Sequence, residues 1–333
     1  MSAIPTEPFA TPDAWRGETM QGRQDWCYKF TEGDIDDLRA GLKAARRTGQ
    51  PFRAWSRDDF PLPFLAPKIE NWMTVFNVGR GFILLRGFPV IDFDQRDREE
   101  IFWGLGLHMG TAVSQNANGD VLGHVRDTGA DPTEHGVRLY KTRAEQDFHT
   151  DGADIIGLFC LRGAKSGGIS RIVSSVSIFN EILRRKPELA PTLFESFPFC
   201  AQEQEGPGQN PWFDVPLCGV SDDRLRTFFI GWYIRESQQH DRAPRLKGAQ
   251  IECINLIEEI ANDPAFYLDM NFEPGDMQFL KNASVLHKRT AFEDWDNPEK
   301  KRHLLRLWLI GREFVGVDQK ARRGFAKNDL AKA

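Results

Sequence analysis

Phe148-His149-Thr150-Asp151-Gly152-Ala153-Asp154-Ile155-Ile156-Gly157-Leu158-Phe159-Cys160-Leu161-Arg162 decides how the chain is read. Its first residues place an imidazole, His149, and a carboxylate, Asp151, two positions apart, and on an extended strand such residues share one face. Its second half, 155–162, is an apolar run with the length of a buried strand. Two ligands from one strand can occupy neighbouring corners of a metal ion's coordination sphere, and a third has to come from elsewhere in the chain. His287 is the candidate: it lies in Ser284-Val285-Leu286-His287-Lys288-Arg289-Thr290, after a turn at Glu273-Pro274-Gly275-Asp276 that returns the chain to a sheet. Two histidines and one carboxylate leave three positions open, which suits a non-haem Fe(II) that must bind a co-substrate and O₂ together. The same donor set also binds zinc, so a zinc hydrolase stays open on the residues alone.

Farther out, Lys301-Arg302-His303-Leu304-Leu305-Arg306-Leu307-Trp308-Leu309 alternates. As a strand it puts Arg302, Leu304, Arg306 and Trp308 on one face and His303, Leu305, Leu307 and Leu309 on the other. Two guanidinium groups beside Leu and Trp are costly to bury without anions, so they are expected to meet carboxylates inside a barrel; the competing reading is an edge strand with arginines in solvent. Further β-type runs at 121–126, 169–175, 227–235, 277–280 and 303–310, with helical inserts at 177–185 and 248–260, argue for an antiparallel sandwich or barrel decorated with helices. Upstream, Thr31 and Asp34 predict a capped helix with the stripe Ile35, Leu38, Leu42, Ala45; further helices are expected over 65–78 and 96–105, and a buried strand between Gly81 and Gly87. This gives a loosely held arm over 1–30, one domain over 31–312 (helical to 107, β from about 120) and a solvated tail over 313–333.

The chain of 333 residues carries 43 basic and 48 acidic residues, so its formal charge of −5 offers nucleic acid or an anionic membrane no general attraction. No apolar run reaches the roughly 18 residues of a membrane span, and the first residues lack the basic start and apolar middle of a signal peptide. Five cysteines without a CxxC pair argue against a disulfide framework or a thiolate zinc site, and a reducing cytoplasm is the expected home.

His149-Thr150-Asp151, Gly167-Gly168-Ile169-Ser170, Pro274-Gly275-Asp276, His287 and Arg302 with Arg306, in that order, resemble the taurine-dioxygenase (TauD/TfdA-like) superfamily of Fe(II)/2-oxoglutarate-dependent oxygenases, the branch with clavaminate synthase-like enzymes. Leu84-Leu85-Arg86-Gly87 is similar to that family's opening segment. The resemblance implies a double-stranded β-helix, or jelly roll, with iron on His149, Asp151 and His287. It implies that Arg302 pairs with the far carboxylate of 2-oxoglutarate and that Ser170, where relatives often have Thr, supports the same group. Arg306 stands where relatives often anchor an acidic group of the substrate, or it supports the metal-bound end of 2-oxoglutarate. A carboxylate at 151 argues against halogenation, leaving hydroxylation, desaturation or ring closure of a small acidic or amino-acid-like metabolite, with succinate and CO₂ as co-products. Gln115, Asn116 and Trp212 are further substrate-side candidates, from a polar stretch around 114–141 and a Gly/Pro-rich segment at 205–216, either of which could close over substrate. A non-catalytic metal-binding jelly roll is the alternative in the same architecture, and it has no need of both arginines and Ser170. Nucleic-acid demethylation fits poorly with the acidic balance.

Overall fold

The computed structural model describes residues 4–116, 118–132, 137–202 and 208–312. The expected tail at 313–333, His135 and part of the 205–216 segment lie outside them.

Two of the longer helices begin on reciprocal side-chain caps. In α2 (Glu32–Arg47), which follows a short α1 (Gly17–Gln21), the Thr31 hydroxyl accepts from the Asp34 amide while the Asp34 carboxylate accepts from the Thr31 amide, and Leu38 and Ala45 are fully buried. Next come α3 (Ala66–Asn77) and α4 (Gln95–Leu107), the latter with the same reciprocal cap from Asp94 and Asp97. After them come α5 (Ser175–Arg185), α6 (Gly231–Ser237) and α7 (Gly248–Ala261).

Two sheets carry the architecture. Their strands are β1 (Cys27–Lys29), β2 (Phe82–Arg86), β3 (Gly110–Ala112), β4 (Leu122–Val125), β5 (Gln146–His149), β6 (Ile155–Arg162), β7 (Ser170–Ser174), β8 (Tyr267–Met270), β9 (Met277–Lys281), β10 (Val285–Arg289) and β11 (His303–Gly311). The larger sheet runs β1-β2-β9-β6-β11-β3, with β4 also on β11, and the smaller runs β8-β7-β10-β5. All pairs are antiparallel except β1 with β2.

Period-two alternation sends each strand's side chains to two destinations. On the outer face of the larger sheet, Ile83, Leu85, Phe279, Leu305, Leu307 and Leu309 pack on α2, α3 and α4. Phe148, Val173 and Leu286 of the smaller sheet pack under α5 and α7. Between the sheets Phe82, Ile156 and Leu280 meet Ile172, Met270 and Val285, so the two inner faces close on each other. β11 is interior, bonded on both edges, with Arg302 4% and Arg306 8% exposed, so the edge-strand reading of its arginines is excluded.

Two sequence expectations change. The run 227–235, expected as a strand, is helical from Gly231. Only Ile230 stays extended enough to bridge His149, while Ile234 and Ser237, three apart, turn one helical face into the second core and Arg235 binds Glu258 of α7 at 2.6 Å. Phe, Ile, Trp and Tyr favour strands, but tertiary packing overrides that preference here. The first residues, expected as a loose arm, are docked. Trp15 and Met20 are buried in the layer between the sheets, Trp15 meets Phe82 edge-on at 5.1 Å and donates to the Arg80 carbonyl at 2.9 Å, and β1 adds a parallel strand. α1 lies so close to β8 that a side chain at Gly17 would meet the Tyr267 carbonyl oxygen at 1.7 Å.

Candidate active site

His149 ends β5 and His287 lies directly opposite it on β10, so antiparallel pairing alone sets the two imidazoles side by side, ring centroids 4.2 Å apart. Asp151 follows two residues after the strand. Its Oδ1 is 3.8 Å from His149 Nε2 and its Oδ2 3.6 Å from His287 Nε2, and one donor atom from each of the three lies within 4.8 Å of the others. The turn that delivers Asp151 is pinned from two sides. Asn282 accepts from the Asp151 amide at 2.8 Å and donates to the Asp151 and Ala153 carbonyls, while Thr150 exchanges hydrogen bonds with the Phe229 backbone. Asn282 itself sits in the turn before His287 and spends its amide on the one after His149.

His149 and Asp151 are held in the forms that bind metal. His149 Nδ1 lies 2.7 Å from the Asp147 carbonyl, to which it donates, leaving the Nε2 lone pair toward Asp151. Burial, reinforced by His287, pushes the His149 imidazole down to about 3, so it is neutral at neutral pH. Burial by itself would raise Asp151, but the Arg306 guanidinium and the two imidazoles outweigh it and hold this carboxyl well below the usual range. Asp151 Oδ2 also accepts from Trp308 Nε1 at 2.9 Å. A neutral imidazole and an ionised carboxylate are what a divalent cation requires, and His287 Nδ1 is buried without a partner among the described residues.

Beside the triad is a cavity lined by His149, His287, Ser170, Arg289, Arg302 and Arg306, among others. Arg302 lies over the Phe292 ring at 5.1 Å, forms no ion pair among the described residues, and leaves Nη1 buried without a partner. The Gly167-Gly168 turn makes room for it: both have positive φ, and a side chain at Gly168 would meet Arg302 Nε at 3.0 Å. Burial pushes Arg302 down to about 10 and Arg289 to about 9, and both remain cationic near neutrality. Ser170, 5% exposed, donates to Gln278 Oε1 at 3.3 Å. Arg306 is differently placed, with Nε donating to Gln115 Oε1 at 2.7 Å, Nη1 3.4 Å from Asp151, and the Tyr140 and Trp308 rings each 4.9 Å from its centre.

A family model described as "Taurine catabolism dioxygenase TauD, TfdA family" matches residues 45–308. The chain belongs to this family. It is an Fe(II)/2-oxoglutarate-dependent dioxygenase, and the triad suits the iron. The TauD/TfdA chain is 28% identical to FR-33289 synthase of Streptomyces rubellomurinus over 94% of both chains, and 31% identical to the taurine hydroxylase-like protein SAT17 of Stachybotrys chartarum over 88% of this chain and 77% of that one. Its fold is similar to that of an asparagine oxygenase solved with Fe(II), 2S,3S-3-hydroxyasparagine and succinate, with a TM-score of 0.66 and 13% identity over 86% of this chain and 93% of that one.

The remaining candidates are placed elsewhere. Gln115 is buried and orients Arg306, also donating to the Arg306 carbonyl at 2.8 Å, rather than lining the cavity. Asn116 donates to Asp120 across the turn at 114–120, and Trp212 stacks with His240 at 6.4 Å; neither lines the cavity. Sequence reasoning missed Arg289, Gln146, whose Nε2 is 3.1 Å from His149 Nε2, and Trp232, whose ring is 5.1 Å from that of His149. The signal for Arg289 was its two-residue spacing from His287. Trp232 was hidden by the strand reading of its helix.

Proposed function

We propose that His149, Asp151 and His287 hold the Fe(II), that Arg302 and Ser170 hold the far carboxylate of 2-oxoglutarate, and that the enzyme hydroxylates a small carboxylate-bearing metabolite. The two facing sheets then form the double-stranded β-helix of one catalytic domain over residues 31–312. The observation that carries the reading is the buried, unpaired Arg302 guanidinium in the cavity beside the triad, because such a charge is tolerated where an anion joins it.

When bound, the iron with 2-oxoglutarate and O₂ supplies the oxidising chemistry, giving succinate and CO₂. The protein's own groups position and exclude. Asp151 would supply one negative charge and the two imidazoles two lone pairs. Trp308 and Arg306 fix the Asp151 carboxylate, and Gln115 fixes Arg306. Arg306, between Tyr140 and Trp308, presents its cation at the boundary between metal and substrate space and anchors the acidic end of the substrate. Hydroxylation is favoured over desaturation or ring closure by the hydroxylated amino acid in the asparagine oxygenase complex.

A metabolite screen reading substrate-stimulated succinate formation, with Arg306→Ala beside wild type, tests this. An acidic metabolite is expected to stimulate succinate release and gain one oxygen atom, and Arg306→Ala is expected to lose most of that stimulation. Full activity of the variant on a carboxylate substrate would remove the anchoring role from Arg306.

A further inference from the structure

Arg289 lies two residues beyond His287 on β10, so its side chain leaves the strand on the same face and lines the same cavity as Arg302. The two arginines flank one ring: their guanidinium centres are 5.0 and 5.1 Å from the Phe292 centroid. Among the described residues neither forms an ion pair with a carboxylate, and Arg289 Nε, like Arg302 Nη1, is buried without a partner. The other side of the Arg289 fork is engaged. Its Nη2 donates to the Ala144 carbonyl and lies 3.4 Å from that of Leu139. These carbonyls belong to the segment that carries Tyr140 against Arg306 and runs into β5, where Gln146 and His149 sit.

We propose that Arg289 is a positioning residue that couples filling of the 2-oxoglutarate pocket to ordering of the substrate-facing wall at residues 139–145. The inference rests on the reading above that this cavity takes 2-oxoglutarate. A dianion seated against Arg302 supplies the counter-charge that Arg289 lacks and gives its free Nε an acceptor. Fixing that edge of a rigid, planar guanidinium fixes the opposite edge, which holds the 139–144 backbone and with it the Tyr140 ring over Arg306. The wall at residues 139–145 is then completed once the co-substrate has entered.

The test uses full-length protein loaded with Mn(II), 2-oxoglutarate affinity by calorimetry, and limited trypsin digestion reading cleavage after Arg138, Lys141 and Arg143 with and without saturating 2-oxoglutarate. Wild type is expected to be protected several-fold by 2-oxoglutarate. Arg289→Gln is expected to weaken 2-oxoglutarate roughly tenfold, the scale of one charge-assisted hydrogen bond, and to lose protection even at saturation. Arg289→Lys restores charge but not the two-sided fork, and is expected to recover affinity without protection; it also carries the test if the Gln variant does not fold. Arg302→Gln is expected to do the opposite, losing affinity and keeping protection at saturation. Wild-type affinity and protection in Arg289→Gln, or restored protection in Arg289→Lys, would overturn the coupling. If wild type itself binds no 2-oxoglutarate, the cavity assignment fails, which is separable from a defect confined to the Arg289 variants.

Discussion

Trp308 shows how much one side chain on β11 settles. Its indole packs beside Arg306 while its Nε1 donates to Asp151, so it orients a proposed metal ligand through a partner that carries no charge. Groups in this position typically change metal affinity by about 10–100-fold when removed. Trp308→Phe, which keeps an aromatic ring, though a smaller one, and deletes the donor, is expected to weaken Mn(II) binding about tenfold by calorimetry; unchanged affinity would assign Trp308 to packing alone. On the opposite face, His303 Nε2 meets His124 Nδ1 at 2.9 Å, and burial, then His124 and Arg162, push its imidazole down to about 3. In the unfolded chain it titrates near 6.5. The folded state therefore binds fewer protons, so the stability tied to this group is complete above pH 6.5 and is lost as pH falls from there through 3. His303→Asn is expected to flatten the fall in melting temperature between pH 7 and 4, and an unchanged slope would contradict this. The face on which each of these residues lies was legible in the sequence, because alternation in 302–309 is a local, period-two signal. Arg289 was not singled out, although it stood in the quoted segment with His287, because its meaning depends on Phe292 and Arg302 arriving beside it.

At the scale of elements, the capped helices and β2, β4, β6, β7, β9 and β11 followed their sequence signals, while β8 and the segments governed by distant partners did not. Residues 231–237 are strand-like in composition and helical in fact, because Ile234 and Ser237 find the second core. The first residues look like a polar arm because Pro, Gly and charge dominate them, yet Trp15 fills the layer between the sheets. Trp15→Ala is expected to destabilise the protein by about 3–5 kcal/mol, the usual cost of deleting a buried large aromatic, measured by urea unfolding; a change below about 1 kcal/mol would mean that this segment adds little to the core. The Arg86-Gly87 and Pro274-Gly275-Asp276 motifs, which the sequence offered as a strand end, a turn and parts of a resemblance, have a structural explanation. Arg86 grips the fully buried Asp276 through two nitrogens, the closer at 2.7 Å, and Gly275, at φ +101°, passes so near Phe88 that a side chain would meet its carbonyl oxygen at 2.1 Å. Together they lock the turn that leads into β9 and on to His287.

Among the described residues, the outer faces of both sheets are spent on helices and the inner faces on each other, and polar groups from both sheets converge at the candidate site. His149 and His287 come from the smaller sheet, Arg306 and Trp308 from the larger, and Asp151 from the link between them. Among the described residues they form the only cluster of three or more His, Cys, Asp or Glu groups able to share a metal ion, and no helix is long and apolar enough to cross a membrane. The candidate metal site was legible because its first two proposed ligands are neighbours in sequence and the third follows a recognisable turn. The proposed substrate wall was less so, because Tyr140 and Arg289 line the cavity from separate segments. Anaerobic equilibrium dialysis against Fe(II) is the most direct test of the central claim. One ion per chain is expected for wild type, with affinity lowered at least tenfold in each of His149→Ala, Asp151→Ala and His287→Ala and unchanged in His240→Asn; iron binding undiminished in the triad variants would contradict it.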